Sequence, residues 1–158
     1  MEYSEVLTLL QKLCAAKGTS GKEDSAADLS AELLSQYMSV KKDNLGNVIG
    51  KKGEGKGILL DAHIDQIGLI VRGFTDDGFV KVARVGGADI RVLTAQQVTI
   101  HGKKDIYGVI TSVPPHLASD KDENKATSFD DMTIDIGMSK AEASEVISLG
   151  DRITFNSP

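Results

Sequence analysis

The sequence has a single cysteine, Cys14, among its 158 residues, so no disulfide can form within the chain. The first residues, Met1 to Glu5, are too polar for the apolar core of a signal peptide. Both observations predict a protein of the reducing cytoplasm. Cys14 lies among leucines and alanines in a helical pattern, which predicts a buried, unreactive thiol.

An excess of positive charge and long apolar runs are also missing. Lysine and arginine number 18 against 23 aspartates and glutamates, which leaves a net charge of −5. Such a chain offers no basic surface for phosphates, so we expect no nucleic-acid partner. No apolar run approaches the roughly 18 residues of a membrane span, and we expect no membrane partner. A hydrophobic fraction of 41% is instead typical of a folded globular chain.

Two amphipathic helices are predicted at the start of the chain. Apolar residues recur at helical spacing from Tyr3 to Ala16. A second helix, about Gly21 to Met38, follows a break in the pattern. Ser20 and Glu23 stand at the spacing of a capping box, which predicts that they cap this second helix.

The period then changes to that of strands. Val40 to Lys42 and Val48 to Lys51 flank a turn sequence and predict a hairpin. The continuous apolar run Gly57 to Ala62 predicts a strand covered on both faces, with His63 and Asp65 following its carboxyl end. Such strand ends are where open α/β folds place their sites.

From Ile67 to Phe155 short β-branched runs alternate with turns rich in glycine and aspartate, which predicts a small β-barrel or sandwich. Asp76-Asp77-Gly78 is the strongest hairpin signal, and Ser139 to Ile147, with Glu142 in a capping box, is the one helix candidate. Asp120 to Asp131 is polar and acidic and predicts a mobile loop. The predicted strands are Leu69 to Val71, Phe79 to Val85, Val98 to His101, Tyr107 to Val113, Thr133 to Ile136 and Arg152 to Phe155.

His63 and Asp65 are the residues best placed for chemistry. In an extended segment their side chains point the same way, so the imidazole can bind a metal while the carboxylate fixes its tautomer. The same two residues could equally form a hydrogen-bonded structural pair, because a catalytic zinc needs about three protein ligands. Paired carboxylates of a sugar hydrolase are a third reading, but only Asp61 and Asp65 are available for it.

Seven motifs, in order along nearly the whole chain, resemble one metallopeptidase family, the glutamyl aminopeptidases and their tetrahedral (TET) relatives. They are Gly18-Thr19-Ser20-Gly21-Lys22-Glu23, Asn44-Leu45-Gly46-Asn47-Val48, Asp61-Ala62-His63-Ile64-Asp65-Gln66-Ile67-Gly68, Val85-Gly86-Gly87-Ala88-Asp89-Ile90-Arg91-Val92-Leu93, Val98-Thr99-Ile100-His101-Gly102, Gly108-Val109-Ile110 and Pro114-Pro115-His116.

The resemblance implies an α/β fold class with two parts. Residues 1–66 would be the N-terminal part of an α/β metallopeptidase catalytic domain. Residues 67–156 would be an inserted small β-barrel, PDZ-like or sandwich-like, that assembles homo-oligomers. In this family two divalent metals, zinc or cobalt, activate a water that attacks the carbonyl of a peptide substrate.

By the same resemblance His63 matches a metal ligand, and Asp65 matches the acidic residue that orients it. The other family ligands and the general base follow the insert, beyond Pro158. We therefore expect at most one weak metal site and no peptidase activity in this polypeptide alone. The alternative is a non-catalytic module of the same ancestry that self-associates or binds a partner.

Three further residues are interpreted as structural. Gln66 stands where the family usually has glutamate, and we expect a surface amide there. His101 precedes a hairpin tip and is predicted to be a solvated turn histidine, while His116, after two prolines, is predicted to pack in a loop.

Overall fold

A computed structural model describes residues 2–111 and 128–156. The chain divides into two compact units, Met1–Gln66 and Ile67–Pro158. The first contains helices α1 (Tyr3–Ala15) and α2 (Asp24–Ser35), followed by strands β1 (Ser39–Lys42) and β2 (Val48–Lys51). The two strands pair antiparallel and α2 packs against both, so the predicted helices and hairpin are confirmed.

The apolar face of α1 is poorly covered. Within this helix, all of whose residues are described, no side chain is buried. Cys14 is exposed, so the prediction of a buried thiol is wrong. Helical periodicity identifies the apolar face of a helix, but burial also requires a second element that packs against that face.

The apolar run that precedes His63 does not form the predicted strand. The structure places no strand between residues 57 and 62, a stretch that is described throughout. Ile58 is 92% exposed, Leu59 89% and Leu60 91%. A central strand needs hydrogen-bonding neighbours on both edges, and no strand among residues 2–66 pairs with this segment.

The second unit is a closed barrel of six strands, in the spatial order β3-β4-β7-β6-β5-β8, with every neighbouring pair antiparallel. Closure leaves no exposed sheet edge. The prediction of a small β-barrel in the second part of the chain is therefore confirmed. The elements are β3 (Gly68–Phe74), β4 (Val80–Val85), a 3-10 turn (Ile90–Val92), β5 (Gln97–His101), β6 (Asp105–Ile110), β7 (Thr133–Asp135), helix α3 (Lys140–Val146) and β8 (Arg152–Phe155).

The barrel interior is filled by branched aliphatic side chains from all six strands. Along β4, Val80 and Val82 are fully buried while Lys81 between them is exposed, which is the alternation expected of a strand with one face in the core. The largest fully buried side chains of the unit are Leu69, Ile100, Ile110, Met132, Ile134, Ile147 and Ile153.

Two local signals in this unit are confirmed. Ser139 caps α3, and the side chain of Glu142 accepts a hydrogen bond from the backbone N–H of Ser139, which completes the capping box. Gly78 lies in the turn between β3 and β4 with φ of +94°. Most of the predicted acidic loop, residues 120–127, lies outside the described residues, as does His116.

Of the helices within residues 2–111 and 128–156, none combines the length and apolar character that crossing a bilayer requires.

Gly78 and Gly137 form a matched pair for testing the β3–β4 turn. Both have positive φ, but a Cβ at Gly78 would lie 2.1 Å from the carbonyl oxygen of Met138, whereas nothing lies within 4 Å of a Cβ at Gly137. Alanine at either position strains the backbone, and only Gly78→Ala adds overlap with backbone atoms. We expect Gly78→Ala to cost about 1–3 kcal/mol more unfolding free energy than Gly137→Ala, measured by urea unfolding. Equal losses would contradict this.

Candidate functional site

His63 and Asp65 lie in the extended segment between β2 and β3, within the first unit. The His63 side chain is 85% exposed and that of Asp65 is 39% exposed. The Nδ1 atom of His63 lies 3.0 Å from Oδ1 of Asp65 and 3.1 Å from its backbone oxygen. Since both neighbours are acceptors, Nδ1 carries the proton and donates it, which leaves the Nε2 lone pair available.

Asp65 is held from its other side by Ser20. The hydroxyl Oγ of Ser20 donates to Oδ2 of Asp65, while Oδ1 accepts from His63. The hydrogen bond from Ser20, followed by that from His63, lowers the pKa of Asp65 below its ordinary value. The carboxylate therefore stays ionised at more acidic pH than a free aspartate.

The segment that carries both residues is joined to the loop between α1 and α2. The backbone N–H of Gln66 donates to the carbonyl oxygen of Gly18 at 2.8 Å, and its side-chain Nε2 donates to that of Ala16 at 3.0 Å. Gln66 is half-buried, so the prediction of a surface amide is wrong. A glutamate carboxylate could not donate the second of these hydrogen bonds.

The predicted capping role of Ser20 and Glu23 for α2 is also wrong. The helix begins at Asp24 with Glu23 as its N-cap, and no side chain makes a capping hydrogen bond there. Glu23 Oε1 accepts instead from the backbone N–H of Gly21, and Ser20 contacts Asp65, 45 residues away in sequence. The spacing of Ser20 and Glu23 suggested a cap for the helix that follows them, whereas the hydroxyl of Ser20 binds a residue far away in the sequence.

His101 differs from the predicted solvated turn residue. It ends β5 with a side chain only 17% exposed, with Nδ1 lying 2.9 Å from Oδ1 of Asp105 and Nε2 lying 3.0 Å from Oγ1 of Thr154 on β8. Both ring nitrogens are engaged, so this histidine joins three strands of the barrel and offers no lone pair to a metal.

The described residues bring together no group of three or more histidine, cysteine, aspartate or glutamate side chains suited to hold a metal ion. Asp61, the other carboxylate considered for a sugar-hydrolase pair, is exposed. Within residues 2–111 no hydrogen bond joins it to Asp65. His63 has the donor chemistry of a metal ligand, because its side chain is exposed and its Nδ1 is held by a carboxylate. The site fits one ligand of a metal centre and not a complete one.

The chain is similar in sequence to peptidases of one family. The family profile described as M42 glutamyl aminopeptidase matches residues 46–158. The lysyl aminopeptidase of Pyrococcus furiosus is 35% identical over 150 residues, which cover 92% of this chain and 43% of that protein. The glutamyl aminopeptidase of Lactococcus lactis is 28% identical over 72% of this chain and 34% of its own length.

Solved structures agree with these sequence matches. The TET aminopeptidase of a marine sediment Thaumarchaeota archaeon has a TM-score of 0.91 and 33% identity, over 98% of this chain and 45% of that one. The TET1 peptidase of Pyrococcus horikoshii, which can assemble into a tetrahedron or a large octahedral shell, has a TM-score of 0.84 and 35% identity, over 95% and 46%. The chain spans less than half the length of these relatives. It belongs to the M42 glutamyl aminopeptidase family.

Proposed function

We propose that this chain is the N-terminal part of a cytoplasmic, metal-dependent aminopeptidase that removes N-terminal residues from peptides. In this proposal Met1–Gln66 belongs to the α/β catalytic domain, and His63 supplies one ligand to a site for two divalent metals, zinc or cobalt. The observation that carries the proposal is the His63–Asp65 pair. It combines an exposed Nε2 with an Nδ1 held 3.0 Å from a carboxylate oxygen.

The residues have separate roles in this chemistry. Bound metals would lower the pKa of a water molecule and polarise the peptide carbonyl. His63 would bind through Nε2, and Asp65 would keep the imidazole in the required tautomer and raise its basicity. Asp65 can perform this role because an aspartate is ionised at neutral pH, and the hydrogen bonds from Ser20 and His63 lower its pKa further.

The barrel would be the oligomerisation domain. The TET1 peptidase of Pyrococcus horikoshii can assemble into a tetrahedron or a large octahedral shell, and the similar structure of PhTET1-12s has a dodecamer in its asymmetric unit. The second unit exposes apolar side chains suited to such contacts, among them Tyr107 on β6, 73% exposed, and Leu149 in the turn before β8, 68% exposed. Peptides would be the substrates, and further copies of the chain would be the partners.

The 158-residue chain alone would lack peptidase activity, because a single imidazole cannot position two metals. The test is to assay this chain and the full-length gene product on a panel of aminoacyl p-nitroanilides, with zinc or cobalt and with a chelator. We expect chelator-sensitive release from the full-length protein only. Release by the short chain that is lost in His63→Ala would contradict the inactivity. No release by the full-length protein would favour a non-catalytic, self-associating module.

A further inference from the structure

We propose that Ser20 is a positioning residue for the metal-binding histidine and acts through Asp65. Its hydroxyl fixes the carboxylate orientation that keeps the His63 proton on Nδ1. The consequence for metal binding rests on the proposed function. The predicted tautomer of His63 does not, because it can be measured without metal.

The loop around Ser20 is built to hold the hydroxyl in place. Thr19 and Lys22 face each other across a tight turn, in which the N–H of Lys22 donates to the carbonyl oxygen of Thr19 at 2.8 Å. Gly21 has φ of +79°, a conformation that favours glycine. At Gly18 a Cβ would lie 2.8 Å from that of Ala26, so the loop packs against the start of α2. The turn therefore presents Ser20 from a defined backbone.

The opposite side of the contact is equally defined. Gln66 hydrogen-bonds to Gly18 through its backbone and to Ala16 through its side chain. The residue next to Asp65 is thus anchored to the loop that carries Ser20. One backbone hydrogen bond and one side-chain hydrogen bond, both donated by Gln66, therefore restrict the distance between Ser20 and Asp65.

The two oxygens of the carboxylate have different partners. Oδ2 accepts from Ser20, and Oδ1 accepts from Nδ1 of His63. The last side-chain torsion of aspartate is broad, so a carboxylate held on one side only would rotate. Rotation would leave Nδ1 with only the backbone oxygen of Asp65, at 3.1 Å, as its acceptor. A larger share of His63 would then carry the proton on Nε2, where it blocks metal binding. The Ser20 bond opposes this rotation.

The test uses imidazole ¹⁵N chemical shifts of the metal-free 158-residue chain at about pH 9, where a histidine with an ordinary pKa is neutral. Ser20→Thr and Ser20→Val are the matched pair, because they have the same shape and differ in the hydroxyl. We expect Thr to keep the wild-type excess of the Nδ1–H tautomer of His63, and Val to shift the population toward Nε2–H. The metal-binding consequence is measured by zinc titration of the same substitutions in the full-length protein. We expect a roughly threefold to tenfold weaker zinc affinity for Ser20→Val than for Ser20→Thr, because Ser20 acts on the ligand only through Asp65.

Two controls separate the possible causes. Ser39→Ala removes a serine hydroxyl that donates to Lys51 in the hairpin of the same unit, and it should leave the His63 tautomer unchanged. Asp65→Asn should shift the tautomer at least as far as Ser20→Val. Amide shifts of residues 18–23 report whether the turn still folds.

The outcomes distinguish this inference from the proposed function. Equal tautomer populations in the Thr and Val variants, with a clear shift in Asp65→Asn, would overturn the role of Ser20 alone. Zinc affinity that is unchanged in His63→Ala would overturn the proposed metal ligand, while the tautomer measurement would still decide whether Ser20 positions Asp65.

Discussion

His63→Ala is expected to lower the metal-dependent aminopeptidase activity of the full-length protein at least about 100-fold, because a metal in such a site stabilises the transition state by several kcal/mol. The expectation rests on the proposed function. His63 has an exposed Nε2, and its Nδ1 is held by Asp65. Alanine removes the ligand without removing a side chain from a core, since His63 is 85% exposed.

His101→Ala is the matched control for this experiment. His101 also lies close to an aspartate, with 2.9 Å between Nδ1 and Asp105 Oδ1, but its Nε2 contacts Thr154. We expect this variant to keep the activity per folded molecule and to lose some stability, because contacts between β5, β6 and β8 are removed. The measurement is the turnover rate of each variant at saturating zinc or cobalt, with bound metal quantified. Comparable losses in both variants would contradict the assignment of His63.

Ile153→Ala is expected to cost about 2–5 kcal/mol of unfolding free energy in the barrel, the range typical of an isoleucine removed from a packed core. Ile153 lies on β8 with no exposed surface, and it is paired with Leu69 on β3 and Ile100 on β5. A cavity at this position would face side chains from both neighbouring strands. The barrel cannot close around it without moving β8 relative to both.

Ile58→Ala is the matched control in the first unit. Its side chain is 92% exposed, so the same substitution should change the stability of the 158-residue chain by no more than about 0.5 kcal/mol. Urea unfolding followed by circular dichroism measures the losses, and amide NMR shows which unit unfolds. Equal costs in the two variants would contradict the burial that the structure assigns to Ile153. In the longer protein of the proposed function, a larger cost for Ile58→Ala would indicate that residues outside this chain cover the segment.

Local signals predicted the barrel well because they are short in range. A period of two residues, as in Val80 and Val82, and the positive φ of a turn glycine such as Gly78 are local features. The capping box of α3 likewise connects Ser139 to Glu142, three residues apart. These features were readable from the sequence and were confirmed. The close approach of Met138 to Gly78 is not local, and the sequence did not predict it.

Predictions that depended on distant partners were less successful. The pattern of Ser20 and Glu23 is identical in type to that of α3, yet the Ser20 hydroxyl contacts Asp65. The run Gly57 to Ala62 has the composition of a covered strand but no strand beside it within residues 2–66. Composition measures the tendency of a segment to be buried, whereas burial itself requires a second surface.

The sequence by itself determined three features of this protein. The order of the motifs identified the family, the alternation of buried and exposed positions with local turn and capping residues predicted the barrel, and the spacing of two residues predicted that His63 and Asp65 pair. Only the tertiary structure decided that Ser20 and Gln66 join the loop between α1 and α2 to the segment that carries this pair. It also decided that both ring nitrogens of His101 have hydrogen-bond partners and that Cys14 is exposed. Each of these depends on contacts between residues far apart in sequence, and the geometry of such contacts is set by packing of whole elements rather than by local preference.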